Sequence, residues 1–133
     1  MDNNIVNDQL PNLESASPLE IAKALVHVLD MKKGREIKLL HIADHTIIAD
    51  YFVICGGTSN TNVRALAGEV EYKLGQAGVE ALRMDGYTEG EWVAVDFGCV
   101  IVHIMNRENR EFYKLEKLWS DAESVDISDI LVP

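Results

Sequence analysis

Residues 92–105 constrain this chain more than any other stretch. Two apolar runs, 92–97 and 100–105, are separated only by Gly98-Cys99. That is the length of a tight hairpin loop, with Gly supplying the positive φ such turns require. The loop pairs Phe97 with Val100, Val95 with Val102, and Val93 with Ile104. Side chains alternate across a strand, so Val93, Val95, Phe97, Val100, Val102 and Ile104 share one face. That face is wholly apolar and must lie on the core. The opposite face sets Trp92 beside Met105, Ala94 beside His103, and Asp96 beside Ile101. It is mixed, so either a helix or a partner covers it.

The remaining pattern alternates helices and strands before this hairpin. Ser17-Pro18-Leu19-Glu20 starts a helix, with a Ser cap, Pro in the first position and Glu three residues after the cap. Ala22, Leu25, Val26 and Leu29 follow at helical spacing, and Gly34 stops the run. Residues 36–43 read as a strand, and the continuously apolar residues 51–55 read as a central one. Gly56-Gly57 breaks that strand, and Ser59 or Asn60 caps a second helix ending at Gly78. This helix buries Val63, Leu66, Ala67, Val70 and Leu74, with Glu69 and Lys73 outward. Residues 80–84 predict another strand, closed by Asp85-Gly86. A last helix over 108–119 aligns Phe112, Leu115, Leu118 and Trp119 on one side, a stripe whose default role is core packing. The expected class is α/β, a mixed β-sheet with flanking helices.

A chain of 133 residues forms one domain and buries a core without disulfides or metals. Cys55 and Cys99 lack paired spacing and read as buried free thiols. No apolar run approaches the ~20 residues a membrane span needs, and the first residues lack the basic start of a signal peptide. The cytoplasm is the expected compartment. The net charge is −10, and seven acids in residues 1–16 and 120–133 account for all but −3 of it. Residues 1–16 therefore read as a flexible acidic leader, 17–122 as the folded domain, and 123–133 as an acidic tail. Ile127, Ile130, Leu131 and Val132 are the residues by which that tail would dock on a groove. Such a chain is repelled by phosphates, so nucleic acid is not its expected main contact.

Catalytic and metal chemistry is hard to assemble from these residues. Gly56-Gly57-Thr58-Ser59-Asn60 joins a strand to a helix, where backbone N–H groups can cradle a phosphate. It lacks the Lys of a Walker loop, and a turn of this kind needs Gly for steric reasons alone. His41 and His45 have i,i+4 spacing, which converges only on a helix, whereas here a strand runs into a loop. His103 with Asp96 has no nucleophile in register. One feature points to binding. Asp85, Glu89, Glu91 and Asp96 are interleaved with Tyr87 and Trp92, with no basic residue among them. Aromatics offer rigid desolvated area and carboxylates offer pairing and steering, which is what a basic protein partner requires.

Three blocks, in order, carry a family resemblance. They are residues 49–54 leading into Gly57-Thr58-Ser59, residues 92–98 with Val102-His103, and residues 110–119. In this order and spacing the chain resembles the ribosomal silencing factor (Iojap) family over roughly residues 18–122. The resemblance implies a translational repressor that binds the large ribosomal subunit through its fourteenth protein and sterically blocks joining of the small subunit. It implies no cofactor, and homodimers as a further association. Trp92, Asp96, Phe97 and Gly98 match the family's partner positions, while Tyr87, Glu89 and Glu91 are added from local composition. The hairpin register turns Phe97 to the core, where it supports the surface rather than touching a partner. The residue after the hairpin Gly is commonly acidic in the family; here it is Cys99.

The resemblance also implies a nucleotidyltransferase-like topology. Those enzymes hold metal ions with two neighbouring strand carboxylates. Asp96 stands alone between Val95 and Phe97, and Glu69 and Glu71 fall on a predicted helix, pointing to different sides. The topology is thus expected without the catalytic carboxylates, and with neither catalytic residues nor metal ligands. The alternatives are a nucleotide-binding or nucleotidyltransferase-like enzyme and a plain oligomerisation module.

Overall fold

A computed structural model describes residues 9–132. The first helix, α1 (Pro18–Met31), begins where its local chemistry dictates. Glu20 N–H donates to Ser17 Oγ at 3.2 Å and Ser17 N–H donates to Glu20 Oε1 at 2.8 Å, closing a capping box. Ile21, Ala22, Leu25, Val26, Val28 and Leu29 face inward. Lys32 closes the helix and Lys33 follows in the left-handed region (φ 65°), and Gly34 packs so closely on Cys55 Sγ that an added Cβ would collide with it.

The chain continues through β1 (Arg35–His41), β2 (Tyr51–Gly56), α2 (Asn60–Gln76), β3 (Arg83–Asp85), β4 (Trp92–Asp96) and β5 (Val100–Met105). It ends with α3 (Arg107–Tyr113), the single turn α4 (Leu115–Leu118) and β6 (Glu123–Ser124). One six-stranded sheet runs β3-β4-β5-β2-β1-β6. Only β2 and β5 are parallel, and α2 lies on the crossover between them. The class is therefore α/β with a mixed sheet, as expected. β2 is central and buried from Phe52 to Gly56. The hairpin register is the one its loop length requires: Val93 opposite Ile104, Val95 opposite Val102, and Phe97 N–H donating to Val100 O.

Two clusters fill the two sides of the sheet. The larger joins α1 and α2 to Val53, Val93, Val95, Phe97, Val100, Val102 and Ile104. The smaller gathers Leu40, Ile42, Phe52, Ile54, Met105 and Leu115, with Trp92, Ile101 and Trp119 at its margin. Among the described residues no helix is long and apolar enough to cross a membrane.

Three expectations need correction. The strand expected over 80–84 is shorter and later: Leu82 N–H bonds Asp96 O at its entrance, and the residues paired with β4 run from Arg83 to Asp85. The single helix over 108–119 is broken at Lys114, which takes φ 47° and ψ 55°. The Phe112–Trp119 stripe consequently divides: Leu115 is buried, Trp119 is half-buried, and Phe112 and Leu118 are exposed. Arg110 holds the kink, donating to Glu116 at 2.8 and 3.1 Å and to the carbonyls of Arg35 and Glu36.

The acidic ends also differ from free tails where they are described. Residues 1–8 of the expected leader lie outside the described residues. Leu13 is buried and its N–H donates to Ala77 O at 2.7 Å. At the other end β6 pairs with β1, Ile127 is buried, and Val132 N–H donates to Asp30 Oδ2 at 2.8 Å. Leu13 and Ile127 thus find apolar sites, while the backbone of Glu123-Ser124 extends the sheet at its edge.

Candidate functional site: the outer face of the hairpin

Trp92 opens β4 and stands opposite Met105, half-buried at the edge of the smaller cluster. Its Nε1–H donates to His103 Nδ1 at 3.1 Å. An indole nitrogen only donates, so His103 Nδ1 accepts and the imidazole proton rests on Nε2. That Nε2 is buried and without a partner. Burial pushes the His103 pKa down to about 4, so the ring is neutral at physiological pH. Its ring meets Phe52 edge-on at 4.6 Å. The outer side of Trp92 meets Tyr113 of α3, ring centroids 4.9 Å apart. A helix thus covers part of this face and leaves part open.

The loop before Trp92 is tied down from several directions. Gly86 (φ +85°) admits no side chain, because a Cβ would collide with Trp92 O. Arg64 of α2 donates to the carbonyls of Thr88 and Glu89, and Asn60 Nδ2 reaches Glu89 O. Asn106, a buried polar side chain, joins three elements. Its N–H meets Glu91 O, its Nδ2 meets Asn60 Oδ1, and its Oδ1 caps α3 at Asn109 N. With the backbone so fixed, Tyr87, Glu89 and Glu91 all project into solvent.

At the far end of the hairpin, Gly98 takes φ +91° and its N–H donates to Asp96 Oδ1 at 2.7 Å. Asp96 is half-buried, and no ion pair among the described residues involves it. Phe97 is buried in the larger cluster, on the face its register dictates. Cys99 is half-buried, its carbonyl accepts from Asp50 and Tyr51 N–H, and burial raises its thiol pKa. Cys55 is fully buried and its pKa is raised to about 12 by that burial. Both thiols are free.

The seven residues singled out from the sequence therefore fall into three places. Trp92 and Glu91 adjoin at one end, with Tyr87 and Glu89 on the loop beside them. Asp96 lies four strand residues further on, roughly 13 Å away at ~3.3 Å per residue, and Gly98 follows it in the hairpin loop. Phe97 is in the core. Tyr113 was not singled out, and neither were the exposed Ile47, Ile48 and Leu82. Tyr113 could have been found only by knowing the kink at Lys114.

Other chemistry considered from the sequence is dispersed. Gly57 N–H donates to Met105 O and Thr58 N–H to Asn62 Oδ1, so these two donors of the turn are occupied. A Cβ on Gly57 would press on Val63 at 2.7 Å, which accounts for the glycine sterically. His41 sits on β1, 3.4 Å from Glu123, and His45 lies in the following turn. His103 faces Trp92 rather than Asp96. Among the described residues no three His, Cys, Asp or Glu gather to hold a metal.

Comparison with known proteins identifies the family. Residues 15–132 match the family described as ribosomal silencing factor during starvation. The chain belongs to the ribosomal silencing factor family. It is 36% identical over 112 residues to the ribosomal silencing factor of Halalkalibacterium halodurans, spanning 84% of this chain and 96% of that one. It is 34% identical over 99 residues to mouse mitochondrial assembly of ribosomal large subunit protein 1, spanning 72% of this chain and 43% of that one. A crystal structure of a Chromobacterium violaceum protein superposes with a TM-score of 0.76 at 38% identity, covering 78% of this chain and 87% of that one. Membership places the chain among ribosome-associated regulators of translation.

Proposed function

We propose that this protein binds the large ribosomal subunit through that subunit's fourteenth protein. Docked there, it occupies the face that meets the small subunit, keeps the subunits apart and represses translation. The observation that carries the reading is Trp92, half-buried on an open sheet face, fixed by His103 and Tyr113 and adjoining Glu91. A rigid aromatic whose rotamer is already set loses little freedom on binding, and exposed carboxylates around it suit a basic protein. Asp96 and Gly98 extend the contact along the hairpin, Tyr87 and Glu89 flank it, and Phe97 supports it from the core. Exclusion by volume needs no bond made or broken, so the protein acts in the cytoplasm without turnover or cofactor.

Sedimentation with purified subunits tests this. The protein should travel with free large subunits, be displaced by excess small subunit, and leave preassembled ribosomes unoccupied. Stable binding to intact ribosomes with subunit association unchanged would reject exclusion.

A further inference from the structure

On the other side of α3 from Trp92 lies a cleft of about 800 Å³, at the carboxyl ends of the parallel strands β2 and β5. Arg35, Arg107, Arg110, Lys114 and Lys117 line it, against three carboxylates. Five of the chain's 12 cationic side chains thus meet in one place, on a protein whose net charge is −10. They come from two distant segments, joined where Arg110 reaches the carbonyls of Arg35 and Glu36. Arg110 is committed to that clamp and to Glu116. Arg107 pairs with Glu111 at 3.4 Å, both largely exposed, and a surface pair of this kind exchanges readily for a phosphate. Arg35, Lys114 and Lys117 are exposed and form none of the ion pairs among the described residues.

We infer that this cleft takes the phosphodiester backbone of RNA on the large subunit, as a second contact beside the hairpin face. The inference rests on the proposed function. Its chemistry separates a backbone from a free nucleotide. No aromatic side chain lines the cleft to stack on a base. The N–H groups of Gly57 and Thr58, which a bound triphosphate would need, are already donated within the fold. What remains is a groove of long, mobile cations, suited to contacts that position without reading sequence. The chain's overall acidity does not oppose this at contact, since charges more than ~8 Å away are screened at physiological salt. It does mean the cleft engages only once the hairpin face has docked. Tyr113 packs on Trp92, while Arg110 lies one turn before it on the same helix and Lys114 caps that helix, so the two surfaces share one short helix.

The test neutralises Lys114 and Lys117 together, as Lys114→Asn with Lys117→Gln. Asn tolerates the left-handed backbone at 114, and both side chains are exposed, so the melting temperature should hold. A control removes the same charge from the other side of the sheet, as Lys23→Gln with Lys73→Gln. Large-subunit affinity is measured against salt concentration. Losing two phosphate contacts should reduce the slope of log affinity against log salt by about two. The wild type's advantage over the variant should shrink by roughly tenfold between 50 and 200 mM salt. Hydroxyl-radical cleavage should show a short protected stretch of ribosomal RNA backbone with wild type and control, absent with the variant at saturation. Unchanged slope and unchanged protection would overturn the inference while leaving the proposed function standing. Wild type that fails to bind large subunits would remove both. Saturable binding of ATP to free protein, lost in the variant, would assign the cleft to a small phosphate ligand instead.

Discussion

Beneath α1 and α2, Val93, Val95, Val100, Val102 and Ile104 of the β4–β5 hairpin are wholly buried. On its other side Trp92, Ala94, Asp96, Ile101 and His103 are all half-buried, and only Met105 is closed off. The same strands thus serve two purposes. Alternation gives one face to packing, where shape alone matters. The other face keeps an indole, an imidazole and a carboxylate at the border of solvent, partly roofed by a helix that breaks before it can cover them. Stability and recognition are separated by the pleat of a single hairpin, and substitutions on the two faces should fail in different ways.

The largest effect should come from the closed side. Leu25→Ala opens a cavity under α1 at a fully buried position, costing ~2–5 kcal/mol. Thermal unfolding should fall by roughly 10 °C or more, while the protein that remains folded keeps its affinity for large subunits. A variant with normal melting would break the claim that this side carries the fold.

Acid should act chiefly through the open side. His103 is held neutral with a pKa near 4, below its unfolded value of ~6.5. The unfolded chain therefore takes up the proton first as pH falls, and the stability present above ~6.5 is lost as pH approaches 4. The loss is on the order of 3 kcal/mol. Melting followed from pH 7 to pH 4 should show it, and His103→Gln should be flatter across this window. Equal slopes in the two proteins would mean that the fold does not hold the imidazole neutral.

A smaller effect belongs to the rim. Glu91→Gln should slow association with large subunits a few-fold and weaken its salt dependence, with dissociation nearly unchanged. Faster dissociation at an unchanged association rate would place Glu91 inside the contact instead of at its edge.

These distinctions were unevenly written in the sequence. The hairpin register was legible because loop length and period-two alternation are local, and the capping box of α1 likewise sits within four residues. Phe97 could be assigned to the core by the same alternation, against its appearance in the recognition motif. The kink at Lys114 could not be read, because its cause is Arg110 bonding to carbonyls 74 and 75 residues away in the chain. Helical periodicity through 108–119 gave no sign that a long-range clamp would override it, so Tyr113 and its place on Trp92 stayed hidden. The acidic ends were legible only in part: Ile127 is one of the apolar residues by which the tail can dock, whereas Leu13 carries no periodic signal and finds an apolar site that only the assembled fold provides.

The central claim is that the open face of the hairpin meets the large subunit and the closed face does not. Affinity for purified large subunits, measured side by side for Trp92→Ala and Phe97→Leu well below both melting temperatures, tests it most directly. Both variants should lose a few degrees of melting temperature, since Trp92 is half-buried and bonded to His103 while Phe97 is in the core. Trp92→Ala should bind roughly thirtyfold more weakly, equivalent to ~2 kcal/mol, and Phe97→Leu should bind as wild type does. Equal affinity in the two variants, or loss in Phe97→Leu alone, would contradict the account.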